Sequence, residues 1–379
     1  MKVYLIAGEA SGDKLGAALM AGLRSLSPDV TFAGVGGARM TAEGLASLFP
    51  MDELSVMGLA EILPKYRALK ARLAQTVEAV IAARPDVLIT IDSPDFCLRV
   101  ARAVKARAPV RTVHYVAPTV WAWRPGRAAK MAPFIDHVLA LFPFEPPYMQ
   151  AAGMACDFVG HPVVAEPVAS EAEIAAFRAS YGVDGPYLLA LPGSRRGEIA
   201  RLAGPFGAAL GQALEGRADM RVVLPCAPGR LAQVREATAG WPVPPVLIPP
   251  EDAPAKRAAF RAATAALAAS GTVSLELAAN ATPMVIAYDM AWLSRMIISR
   301  MLRVDTVTLV NLVSDTRTVP EFIGRDCVPG KIAAGLRAVL AAPQAQQAAM
   351  ALTMQRLGQG GEDPGLRAAR AVLARLQAV

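Results

Sequence analysis

Short apolar runs recur along the chain, separated by longer stretches in which apolar and polar positions follow helical spacing. The runs cover residues 3–7, 87–91, 110–116 and 138–141, and resume at 187–191, 220–224, 262–268 and 283–288. Most are continuously apolar rather than alternating, the pattern of strands buried on both faces of a parallel sheet. Strands interleaved with helices of this length predict βαβ units, so the expected fold class is α/β with two Rossmann-like domains. Between the two series lies a proline-rich segment, residues 161–167, followed by a polar helix start at Ser170 and Glu173. The boundary is placed there, giving domains 1–165 and 166–357 that face a central cleft, the usual ligand site of such folds. A glycine-rich break at 358–365 precedes a terminal helix, within residues 358–379, in which Leu366, Val372, Leu373 and Leu376 form an apolar stripe. That helix is expected to pack back on the N-terminal domain or on a partner chain, which leaves a homodimer with exchanged helices open.

Composition narrows this picture. Hydrophobic residues make up 54% of the 379 and charged residues 19%, as buried parallel sheets require. No stretch approaches the roughly 20 apolar residues of a membrane-spanning helix. The first apolar run ends in Gly8-Glu9 and reads as a strand rather than a leader. Cys97, Cys156, Cys226 and Cys327 are scattered, so neither a disulfide framework nor a zinc site is expected, and a reducing cytoplasm fits. The net charge of +7 favours an acidic partner. The basic residues are dispersed and no nucleic-acid module is visible, so no nucleic-acid partner is expected.

Five segments carry candidate chemistry. Gly8, Ser11, Gly12 and Asp13 follow the first strand and precede a helix expected from Lys14; they suit either an anion-holding turn or a helix start capped by Ser11 or Asp13. Residues 91–96, Ile-Asp-Ser-Pro-Asp-Phe, put Asp92 at the carboxyl end of a strand. Ser93 reads as an N-cap, Pro94 as the first helical position and Asp95 as a first-turn carboxylate. Asp92 is left without a local job and is a candidate general base, or a second cap. Residues 191–198 form a glycine turn in which Ser194 can cap while Arg195 or Arg196 reaches an oxyanion. Ser270, Gly271 and Thr272 make a small-residue turn suited to a diphosphate, with Glu276 one helical turn on, where a ribose would offer its hydroxyls. Residues 114–124 hold Trp121 and Arg124 in an aromatic, basic loop that suits sugar stacking, an acyl groove or a core anchor. His114 and His161 read as structural. Amphipathic stretches at 58–74 and 291–303 suit either an anionic bilayer surface or a core-facing helix.

Taken in order, AGEASGD (7–13), GVGGARM (34–40), LSVMGLAEIL (54–63), IDSPDF (91–96), HYVAPTVWAWR (114–124), FPFE (142–145), FVGHP (158–162), LPGSR (191–195), ASGTVSLE (269–276) and LVNL (309–312) resemble the motifs of lipid-A-disaccharide synthases through nearly the whole chain. The resemblance implies a GT-B glycosyltransferase that uses no metal or prosthetic group. It would transfer 2,3-diacylglucosamine from its UDP conjugate to 2,3-diacylglucosamine 1-phosphate, forming a β-1,6 linkage with inversion. By the same resemblance Asp92 is the base, and Arg195, Ser270, Gly271, Thr272 and Glu276 hold UDP with Asn311 near the nucleotide. Gly8, Ser11, Gly12, Asp13, Trp121 and Arg124 then belong to acceptor or phosphate loops. The implied place of work is cytoplasmic, peripheral on the inner face of the inner membrane. Cys97 stands where the family often has Asn, and Ala117-Pro118-Thr119 replaces Ser-Pro-Ser. The alternatives are another UDP-N-acetylglucosamine-type transferase or epimerase, and a non-catalytic protein of the membrane surface.

Overall fold

The computed structural model describes residues 1–54, 59–290, 296, 301 and 303–377, with the backbone alone over 59–65. The chain divides into two units, Met1–Ala165 together with Gly360–Val379, and Glu166–Gln359. In the first unit, strands β1 (Lys2–Ala7), β2 (Thr31–Val35), β3 (Val87–Ile91), β4 (Arg111–Tyr115), β5 (His137–Ala140) and β6 (Ala155–Phe158) form one parallel sheet in the order β2-β1-β3-β4-β5-β6. In the second, β7 (Tyr187–Leu191), β8 (Arg221–Pro225), β9 (Val246–Ile248), β10 (Ala265–Ala268), β11 (Met284–Tyr288) and β12 (Glu321–Ile323) repeat the design in the order β12-β11-β10-β7-β8-β9. The α/β class with two Rossmann-like sheets is borne out. Central strands are mostly apolar because helices cover both faces; β3 and β7 are buried at every position.

Helical periodicity builds the cores. Helix Arg196–Ala213 buries Ile199, Leu202, Ala203, Phe206 and Leu210, one stripe of a 3.6-residue period, against Leu188, Val222 and Leu267 of the second sheet. In the first unit Met131, Phe134, Ile135 and Met149 close over Val138 and Ala140 of β5. The terminal helix Pro364–Gln377 packs on helix Ala10–Leu26 of its own chain, and its buried face differs from the expected leucine stripe. Gly365, Ala368, Ala369 and Val372 are buried, while Leu366, Leu373 and Leu376 are half-buried. Small residues are needed there because a Cβ on Gly22 would come within 2.7 Å of the Gly365 carbonyl oxygen. Arg375 adds a two-pronged ion pair to Asp157 on β6, and Asp157 also meets His137 on β5. Among the described residues no helix is long and apolar enough to cross a membrane.

Candidate active site

In each sheet the chain leaves its first strand in one direction and later returns to add strands on the other side. Such a reversal opens a crevice beyond the carboxyl ends of the two central strands. In the first unit it falls between β1 and β3, whose ends are level, with Ala7 opposite Ile91. The turn after β1 begins at Gly8 and the turn after β3 holds Asp92 and Ser93. The two are in contact: a Cβ on Gly8 would lie 2.6 Å from Ser93 Oγ. Asp92 and Ser93 both have left-handed backbone, with φ of 49° and 40°. Two successive non-glycine residues in that region store strain of roughly 1–3 kcal/mol each. The Asp92 amide donates to the Tyr115 carbonyl at 2.9 Å, which ties the turn to β4. The Asp92 side chain is half-buried, and loss of solvent raises its pKa above the ordinary carboxylate value, opposed by a backbone N–H of Ser93. Cys97 packs beneath the turn, its buried thiol directed at the carbonyls of Ile6 and Ile91, and burial pushes it up to about 12.

The remaining residues of the first turn have other work. The helix starts at Ala10, four residues before Lys14, and its N-cap is Glu9, so neither Ser11 nor Asp13 caps it. Asp13, only 5% exposed, accepts hydrogen bonds from the backbone N–H groups of Gly37, Arg39 and Met40 at 2.8–3.0 Å. It caps the short helix Ala38–Ala42, so its carboxylate tethers that helix to the turn after β1. Ser11 is exposed, and Gly12 is buried against Ala7 and Ile91. Ser93 and Pro94 stand at the N-cap and first position of helix Pro94–Lys105 as expected, but the Ser93 side chain makes no capping bond.

Strain continues along the same rim. Val116, directly after β4, has φ of 82°, a region hostile to a β-branched residue, and Arg124 has φ of 51°. Between them Trp121 is half-buried, edge-on to Phe144 with ring centroids 5.1 Å apart, and Phe144 stacks on Phe142. Arg124 lies over the Trp123 ring at 4.3 Å. Glu145, for which the sequence suggested no role, lies behind this cluster and is 2% exposed. Its Oε2 accepts from the amides of Leu141 and Phe142, and its Oε1 from Trp121 Nε1 at 3.3 Å. Burial outweighs these three donors and raises its pKa to about 7. The available signal was an ionisable residue within a few positions of an apolar strand's carboxyl end. The histidines are structural: His114 Nδ1 is 2.8 Å from Thr90 Oγ1, and His161 Nδ1 accepts from the Val163 amide. Burial lowers both to about 4.

In the second unit the reversal falls between β7 and β10, and the two predicted turns meet there. Leu191 pairs with Ala268, and the Ala269 amide donates to the Leu191 carbonyl at 2.9 Å. The turn after β7 requires glycine at 193, where φ is 106° and a Cβ would sit 2.5 Å from Glu198 Oε2. Arg195, not Ser194, is the N-cap of helix Arg196–Ala213. Glu198 accepts from the amides of Ser194 and Arg195 and from Arg195 Nη1, all at 3.2–3.3 Å, and so holds the turn in shape. After β10, Ser270, Gly271 and Thr272 form an open turn with Gly271 at φ 155° and space where its Cβ would be. Glu276 is half-buried and pairs with Lys256 Nζ at 3.1 Å. Asn311 is different. It is 1% exposed, donates to Thr306 Oγ1 and the Val319 carbonyl, and accepts from the Val319 amide. Both donors of its amide and one lone pair of its oxygen serve its own loop, so the side chain holds that loop in shape. Of the amphipathic stretches, residues 58–65 and most of 291–303 lie outside the described side chains; Tyr66 and Met296 are exposed.

The model of the lipid-A-disaccharide synthetase family matches residues 3–373. A lipid-A-disaccharide synthase of Ruegeria pomeroyi is 65% identical over 99% of this chain and 96% of its own length. The chain belongs to the lipid-A-disaccharide synthetase family. Membership makes it an enzyme of the glycosyltransferase class, with a part in lipid A biosynthesis. A second family member, from Rhodospirillum centenum, is 48% identical over 98% of this chain and 94% of its own length. Among solved structures, a UDP-GlcNAc 2-epimerase of Neisseria meningitidis bound to UDP-GlcNAc superposes with a TM-score of 0.64 at 11% identity, covering all of both chains. An epimerase of Methanocaldococcus jannaschii in complex with UDP-GlcNAc and UDP gives 0.63 at 14%, again over all of both chains. At such identities the likeness concerns the fold alone, the GT-B-like pair of parallel sheets.

Proposed function

We propose that this family member transfers 2,3-diacylglucosamine from its UDP conjugate to the 6′-hydroxyl of 2,3-diacylglucosamine 1-phosphate, with inversion. The observation that carries the reading is Asp92: a carboxylate at the reversal of the first sheet, held on strained backbone, with its pKa raised towards the range useful to a general base. Asp92 takes the hydroxyl proton as the oxygen forms its bond to the anomeric carbon, and the bond from that carbon to the diphosphate breaks. UDP leaves with the electron pair. The second unit holds the donor: Ser270, Gly271 and Thr272 receive the diphosphate, Arg195 offsets its charge and Glu276 takes the ribose hydroxyls. The first unit holds the acceptor, with Gly8, Trp121 and Arg124 on its rim. The enzyme works peripherally at the inner face of the inner membrane, drawn there by its lipid substrates and positive charge.

The test is formation of disaccharide 1-phosphate in detergent by wild type and Asp92→Asn, with UDP binding measured on both. The reading expects a loss of at least about 100-fold in kcat, the scale of a lost general base, with UDP affinity kept. Turnover that survives removes Asp92 from the chemistry. A wild type that makes an epimer from the free nucleotide sugar, and no disaccharide, replaces the transferase reading with that of the epimerases sharing the fold.

A further inference from the structure

The loop after β4 carries Trp121 and Arg124, and its backbone is strained at Val116 and Arg124. Something must hold it. The Val116 amide ties its start to the Leu139 carbonyl of β5 at 3.0 Å, and farther along Trp121 meets Phe144 edge-on and the buried Glu145, which precedes helix Pro146–Gln150. One carboxylate joins two separate segments there: the exit of β5, through the amides of Leu141 and Phe142, and the Trp121 indole. All three partners are donors. A carboxylate accepts from all of them, whereas an amide at this position would turn an N–H towards one donor. We propose that Glu145 is a positioning residue, fixing the Trp121 loop in the shape that receives the acceptor sugar. The inference rests on the assignment of that loop to acceptor binding.

The geometry defines a variant pair. Glu145→Gln keeps the volume and turns a donor towards Trp121 or towards the strand exit. Trp121→Phe keeps a six-membered ring against Phe144 and removes the pyrrole half of the indole together with its N–H. Both are expected to raise the acceptor KM about tenfold, more than kcat falls, and to leave the donor KM within twofold. A structural weakening of the whole first unit would divide the two substrates in the same way, so near-UV circular dichroism and amide exchange of both variants are required to match the wild type at the assay temperature. Contact itself is read independently of turnover by 19F NMR of the chain labelled with 5-fluorotryptophan, the Trp121 signal being assigned by its absence in Trp121→Phe. That signal is expected to titrate near pH 7 with Glu145 and to stop doing so in Glu145→Gln. The neighbouring groups titrate elsewhere: the Cys156 thiol, which faces the Glu145 charge from β6, is pushed up to about 12, and His161, against Phe142 and near Lys14, is lowered to about 4. A folded Glu145→Gln or Trp121→Phe with the wild-type acceptor KM overturns the proposal, and either variant suffices if the other does not fold. A Trp121 signal indifferent to Glu145→Gln overturns the contact. Failure of the wild type to make disaccharide, with the titration intact, instead overturns the assignment of the loop to an acceptor.

Discussion

Burial and hydrogen bonding pull in opposite directions at Glu145, and burial wins. Its pKa rises from 4.5 to about 7, so between these values the folded chain keeps a proton that the unfolded chain has released. The contribution is therefore present in full below about pH 4.5 and is lost as the pH rises through about 7. Over this window it amounts to about 3 kcal/mol at 1.36 kcal/mol per unit. Urea unfolding of wild type and Glu145→Gln at steps of pH is expected to show a difference that changes by that order across the window and levels off above it. A constant difference would mean that Glu145 ionises normally. Asp92 acts in the same direction through the same cause, so the variant comparison, not the raw pH curve, isolates Glu145. Asp13 is also buried in its unit, and there three backbone donors at one carboxylate make it a cap for a helix distant in sequence.

At the scale of elements, the strands legible in the sequence were the interior ones. The runs at 87–91 and 187–191 coincide with β3 and β7, and those at 3–7, 110–116, 138–141, 220–224, 262–268 and 283–288 overlap β1, β4, β5, β8, β10 and β11. The strands that gave no signal are β2, β6, β9 and β12, the four sheet edges. An edge strand has a neighbour on one side only and is less covered: β6 and β12 have mostly half-buried positions, and their sequences, Ala-Cys-Asp-Phe and Glu-Phe-Ile, carry a charge. The terminal helix was legible as a helix but not in its packing face, because a close crossing favours glycine and alanine over leucine. That crossing is testable. Gly22→Leu is expected to force the helices apart, destabilise the first unit by about 1–3 kcal/mol and speed amide exchange in residues 364–377. Unchanged exchange would show that the side chain finds room.

At the scale of the molecule, the first unit is built from both ends of the chain and the second from the middle. A chain ending at Gln359 is therefore expected to lose amide protection in β1 to β6 while the UDP affinity proposed for the second unit stays within about twofold. Equal loss in both units would show that they do not fold separately. What the sequence determined by itself is the order of the interior strands and of the helical stretches between them, the positions of the turns after β1, β3, β7 and β10, and the family. These are local or collinear properties, carried by apolar runs, glycines and motifs within a few residues of one another. Tertiary structure alone decided which turns meet. Parallel pairing with a reversal beside the first strand of each sheet brings residue 8 to residue 93 and residue 191 to residue 269. It also decided what these side chains hold together, Asp13 a distant helix and Asn311 its own loop, and that Glu145 reaches Trp121. Hydrogen-bond partners far apart in sequence leave no mark on local spacing, so only the folded chain can supply them.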